Sequence, residues 1–139
     1  GGWRGRGGHA FMGDRFPAFR HLDLSDEQRE QIRAIHEQHR DERQALSETL
    51  WPAREALTTA AMAVPVDEAE IQARAADLAA AKMEAAVLQA RIQAEVFQVL
   101  TPDQQEKAKA WHAERQQRRA EFHERRLERQ QSGEQPRQN

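Results

Sequence analysis

Apolar residues in the first half of the chain recur at helical spacing. Ile32, Ile35, His39, Leu46, Leu50 and Leu57 follow one another at steps of three, four and seven, with Glu, Arg and Gln between them. That pattern traces one face of an amphipathic helix. Pro52 lacks a backbone donor and disfavours the α conformation at Trp51, so a kink or break is predicted there, with a second helix from about Pro52 to Met62. The run Val64-Pro65-Val66-Asp67 ends that segment and offers Asp67 as the N-cap of the next helix, with Glu70 three residues on. The third helix should be the longest. Ile71, Leu78, Ala85, Ile92 and Val99 fall every seven residues, Ala81, Leu88 and Val96 widen the stripe, and neither Gly nor Pro interrupts it before Pro102.

Two segments carry the same helix-starting signal. In Leu24-Ser25-Asp26-Glu27-Gln28, Ser25 is placed as an N-cap with Gln28 as its capping-box partner. In Leu100-Thr101-Pro102-Asp103-Gln104, Thr101 is the N-cap, Pro102 takes the first helical position and Gln104 the third. A fourth helix is therefore predicted after Pro102, carrying Ala108, Trp111, Arg115 and Phe122 on one side. Residues 1–21 mix Gly, Arg and scattered aromatics without a period and read as a flexible arm. Residues 22–130 form the helical domain, and residues 131–139 read as a disordered tail.

Composition narrows the fold class to all-α. The 139 residues are 32% charged and 38% hydrophobic, and Ala is dense in the third helix (AADLAAAKMEAA), which suits long helices with narrow apolar stripes. No stretch of about 18 apolar residues is present, so membrane insertion is not expected, and the lack of Cys excludes a disulfide scaffold. The chain opens Gly1-Gly2-Trp3 without a Met, which fits the removal of a leader. Net charge is −2 but uneven. Five basic residues face nine acidic ones over 22–64, and three face six over 65–100, whereas the first 21 residues and the last 39 are net basic. A pI near 6.3 does not favour nucleic acid.

The two motifs, LSDEQ at Leu24–Gln28 and LTPDQ at Leu100–Gln104, stand 76 positions apart in a charged helical chain. With the runs LDLSDEQREQIRAI and VFQVLTPDQQEK, they make the chain resemble the Spy/CpxP family over about residues 22–128. The resemblance implies a thin, curved, hairpin-like four-helix protomer that pairs into an antiparallel, cradle-shaped homodimer in the periplasm. It further implies an ATP-independent chaperone holding unfolded or partly folded clients on the concave face under envelope stress. Other members of such a family inhibit a sensor kinase or sense metals, so a periplasmic metal-responsive sensor or regulator is the alternative on the same scaffold.

Candidate client-binding residues are Phe16, Phe19, Leu22, Leu24, Ile32, Ile35, Met62 and Met83 as a shallow apolar surface, with Arg115, Arg118 and Arg119 as a basic helix face that speeds encounter. The plain reading of the same residues is core for the aliphatic stripe and a solvated face for the arginines. No cofactor is expected. The candidate ligands for a transition metal are His36 and His39, three apart on a helix, and His112 and His123, eleven apart, but the absence of Cys and of any HxxxH spacing counts against a dedicated site. Catalysis is not expected, since no nucleophile, base and orienting group are spaced for it and no Gly-rich phosphate loop is present.

Overall fold

The computed structural model describes residue 19 and residues 21–133. Of the expected arm at 1–21, residues 1–18 and 20 lie outside the described residues, as do residues 134–139 of the expected tail at 131–139. Four helices follow in order: α1 (Asp26–Gln38), α2 (Arg40–Ala60), α3 (Glu68–Val99) and α4 (Pro102–Gly133). No strand occurs among the described residues, so the protein is all-α as the patterning predicts. α4 continues to Gly133, three residues into the stretch expected to be disordered.

The chain divides into two compact units, Leu24–Val99 and a second made of the segment up to Asp23 together with Leu100 onward. In the first unit α1 and α2 both pack on α3, and the α2/α3 pairing is the more extensive. The α3 residues buried in this unit are Ala81, Leu88, Ile92 and Val96. Their steps of seven, four and four keep them within one narrow sector of the helix. Ala81, Leu88 and Val96 are the residues that widen the predicted stripe; of its seven-residue register Ile92 is buried, and Ile71, Leu78, Ala85 and Val99 are half-buried. Ile32, His36 and His39 cover the buried sector from the α1 side, and Ala60 is the buried residue of α2. Ile92 and Val96 are wholly shielded from solvent.

The break in the first helical stripe falls at His39, not at Pro52. His39 has φ −98° and ψ 7°, closes α1 with its N–H on the Ile35 carbonyl, and accepts the first bond of α2 from Arg43 N–H at 3.0 Å. Pro52 lies inside α2, which runs on unbroken. Its ring is on the exposed face. The Glu48 carbonyl it cannot serve lies one turn back on the same side and can be hydrated, so the missing bond costs less than it would against the core.

Three of the four helix starts are closed by side chains, and only α2, which begins at the His39 joint, has no side-chain cap. Ser25 N–H donates to Gln28 Oε1 at 2.9 Å and Gln28 N–H donates to Ser25 Oγ at 3.1 Å. The same reciprocal pair joins Thr101 and Gln104 at 3.0 and 3.2 Å. Asp67 Oδ1 accepts from Glu70 N–H at 3.1 Å at the start of α3. The motif glutamines reach further. Gln28 Nε2 donates to the Val99 carbonyl at 3.3 Å, fastening the start of α1 to the end of α3 within the first unit. Gln104 Nε2 donates to the Asp23 carbonyl at 3.0 Å within the second. In both cases the acceptor is the carbonyl just before the other motif's leucine.

That second unit has a small core. Leu22, Leu100 and Ala108 are buried, Trp111 is half-buried, and the His21 and Trp111 rings lie 5.7 Å apart at 40°. From His112 to Gly133 every residue of α4 is exposed. High helix propensity and spaced ion pairs such as Arg118–Glu114 at 3.6 Å support a helix of this kind.

Two outcomes are expected. Ile92→Ala should lower unfolding free energy by about 2–4 kcal/mol, because it removes a fully buried side chain whose surroundings cannot collapse completely; urea titration followed by circular dichroism measures this. Gln28→Glu keeps the capping acceptor but replaces the Nε2 donor with a carboxylate oxygen beside a carbonyl. It should cost about 1–2 kcal/mol, whereas a purely local cap would tolerate Glu equally well.

Candidate functional site

The structure separates the sequence-predicted site residues into three groups. Leu22 and Ile32, expected on a client surface, are 8% and 4% exposed and belong to the cores of their units. Leu24, Ile35 and Phe19 are half-buried, and Phe16 lies outside the described residues. Helical spacing alone puts an apolar side chain on a face. It does not say whether another helix covers that face, and α3 covers the Ile32 face of α1.

Met62 and Met83 are exposed at 68% and 63%. Met62 stands in the α2/α3 connection, where Val64 and Val66 are also exposed. Met83 belongs to a groove between α2 and α3 of about 470 Å³. Ala45, Leu46, Met83, Val87 and Leu88 form its apolar lining. Leu88 is buried at the base, Leu46 is half-buried, and Val87 and Met83 are open to solvent. Glu42, Glu84 and Arg91 complete the lining. Sequence reasoning named Met83 as a candidate and put Leu46 and Leu88 in the helical stripes, but it missed Val87 and the three charged residues. Only the pairing of α2 with α3 brings those positions together.

Arg115, Arg118 and Arg119 are exposed on α4. The Arg115 guanidinium lies 5.2 Å from the centre of the Trp111 ring, a cation–π arrangement that leaves its outer edge in water. Arg118 pairs with Glu114 on an exposed face, a contact that stabilises little.

The histidines divide in the same way. His112 and His123 are exposed on α4, whereas His36 and His39 are buried at the α1/α2 joint. His39 Nε2 lies 2.8 Å from Glu95 Oε2 on α3, and a carboxylate only accepts, so Nε2 carries the proton. Its Nδ1 faces Glu42 at 3.6 Å. Arg43 Nη2 donates to the His36 carbonyl at 2.9 Å. Among the described residues no group of three or more His, Asp or Glu stands close enough to hold a metal ion.

Burial holds the His36 pKa below the usual histidine value, and the neighbouring His39 pushes it the same way. The folded protein therefore keeps His36 neutral while the unfolded chain takes up a proton near pH 6.5. Stability present above that pH is lost as pH falls from the unfolded towards the lower folded pKa. Comparison of urea midpoints at pH 7.5 and 5.5 should show a fall in the wild-type protein and a smaller fall in His36→Leu, which cannot titrate at this position.

No helix among the described residues is long and apolar enough to cross a membrane. Neither a curated protein nor a solved structure gave a significant match to the chain. A family model described as heavy-metal resistance matches residues 1–107, a span that includes α1, α2, α3 and both glutamine motifs. The match takes in well over half of the chain, and the chain belongs to the heavy-metal resistance family, which is related to the Spy/CpxP-type all-α periplasmic proteins.

Proposed function

We propose that the protein is an ATP-independent periplasmic chaperone that holds unfolded or partly folded proteins on exposed apolar surface and keeps them from aggregating under envelope stress. The observation that carries this reading is the α2/α3 groove. A folded helical pair would ordinarily bury side chains such as Met83 and Val87, yet here they stand 63% and 48% exposed beside a buried Leu88. Apolar surface left open in this way marks an interaction site, and Met adapts its shape to partners of varied sequence. The exposed cations of α4, Arg115, Arg118 and Arg119, supply long-range attraction for the acidic stretches of such chains. The protein acts as a homodimer in this reading, with self-association covering part of the apolar surface that one chain leaves open, such as Trp51 at 65% exposure. No cofactor or nucleotide takes part and no reaction is catalysed.

A second reading is favoured by the family match. A metal-responsive regulator on this scaffold, acting on a sensor kinase or a comparable partner, would bind a transition metal through histidines such as His36 and His39 or His112 and His123.

A modest molar excess of the protein should suppress aggregation of a chemically denatured client, followed by light scattering, without nucleotide. Arg115, Arg118 and Arg119 replaced together by Gln should slow capture without changing release, because salt-screened attraction acts on encounter. Scattering unchanged by the wild-type protein, together with submicromolar binding of Zn, Cu, Ni or Co by calorimetry, would replace the chaperone reading with the regulator.

A further inference from the structure

The sign of the charge around the groove gives the class of segment it accepts. The groove lies entirely within the Leu24–Val99 unit. That unit carries fourteen acidic residues against eight basic ones. On the lining itself two carboxylates, Glu42 and Glu84, stand against one guanidinium, Arg91. Glu84 has no ion pair among the described residues, and Glu42 meets only the Nδ1 of His39 at 3.6 Å. Both carboxylates are exposed, and neither pairs with a Lys or Arg among the described residues, so both can meet a cation that enters the groove.

We propose that the groove is the seat of a cationic amphipathic segment: a stretch of chain whose apolar side chains fill the space between Leu46, Met83, Val87 and Leu88 while flanking Lys or Arg side chains meet Glu42 and Glu84. The proposal rests on the chaperone reading and names the substrate class of its apolar site. An apolar insert alone would leave both carboxylates partly desolvated and unpaired, and an acidic segment would bring like charges together. A basic segment satisfies them. The basic α4 and the acidic groove then act on different parts of one unfolded client, α4 on its acidic stretches and the groove on apolar stretches bordered by cations. Helical and extended segments both fit this description, since Lys and Arg lay their methylene stems along apolar surface while their heads stay in water.

The test uses the full chain and three fluorescent peptides of about four helical turns: a Leu/Lys amphipathic peptide, its Leu/Glu counterpart, and a Ser/Lys peptide without apolar residues. Fluorescence anisotropy should show the Leu/Lys peptide binding at least about tenfold more tightly than either of the others, and its affinity should fall as salt is raised from about 50 to about 300 mM. Met83 and Val87 replaced together by Gln should weaken binding about fivefold or more. Glu42 and Glu84 replaced together by Lys should transfer the preference to the Leu/Glu peptide. All four positions are exposed, so the variants should keep the circular dichroism spectrum of the parent.

Equal affinity for Leu/Lys and Leu/Glu peptides would overturn the proposal, as would binding unaffected by the Gln variant. A fall in sedimentation mass of the Gln variant would overturn it too, because the groove would then be covered by a second copy of this chain. Client aggregation suppressed by the wild type with no groove-dependent peptide binding would defeat this inference alone. Unsuppressed aggregation would defeat the chaperone reading, whatever the peptides do.

Discussion

The motif glutamine is the residue through which local and tertiary structure meet. A capping box needs only an acceptor at the third helical position, and Glu supplies one as well as Gln. What Glu lacks is the amide N–H, and in both motifs that N–H is used on a carbonyl far away in sequence, Val99 for Gln28 and Asp23 for Gln104. One planar group thus ends two frayed backbones at once, the orphan N–H of a helix start and the carbonyl of a chain segment that has just left or not yet entered a helix. Because the two functions sit on one amide, the start of α1 cannot be capped in its observed geometry without also locating the end of α3.

That constraint matters because little else is buried. Only Ala81, Leu88, Ile92 and Val96 of the 32-residue α3 are buried. A helix covered on one narrow sector keeps its other faces wet, so apolar side chains that a thicker protein would enclose remain at the surface. Met83 and Val87 are of this kind. Sparse burial on α3, which limits stability, is also what leaves the apolar lining of the α2/α3 groove open to solvent.

The histidines of the α1/α2 joint show how tertiary contact redistributes what a pattern suggests. His39 keeps step with the apolar stripe, and its sequence position alone fits a packed residue or a metal ligand. In the fold it is the point at which one helix ends and the next begins, and its ring is directed to Glu95 on α3. Pro52, the residue with the stronger intrinsic tendency to interrupt a helix, is accommodated because it faces water. The interruption falls where a side chain gains a partner on another helix, and not where the backbone loses a single bond.

The sequence by itself determined the fold class, the starts of α1, α3 and α4 and the existence of a long third helix, since capping and periodicity are local and are read within a few residues. It also marked Met62 and Met83 as candidates, because Met at a helix or loop position is chemically distinctive wherever it lies. It could not separate Ile32, buried against α3, from a client-facing residue of identical spacing, nor could it set Glu42 and Glu84 at one groove or Glu95 against His39. Those outcomes depend on which face of α1 and α2 meets which face of α3. That choice is made by long-range packing and, at the start of α1, by an amide-to-carbonyl bond spanning 71 positions, and no window of sequence contains them.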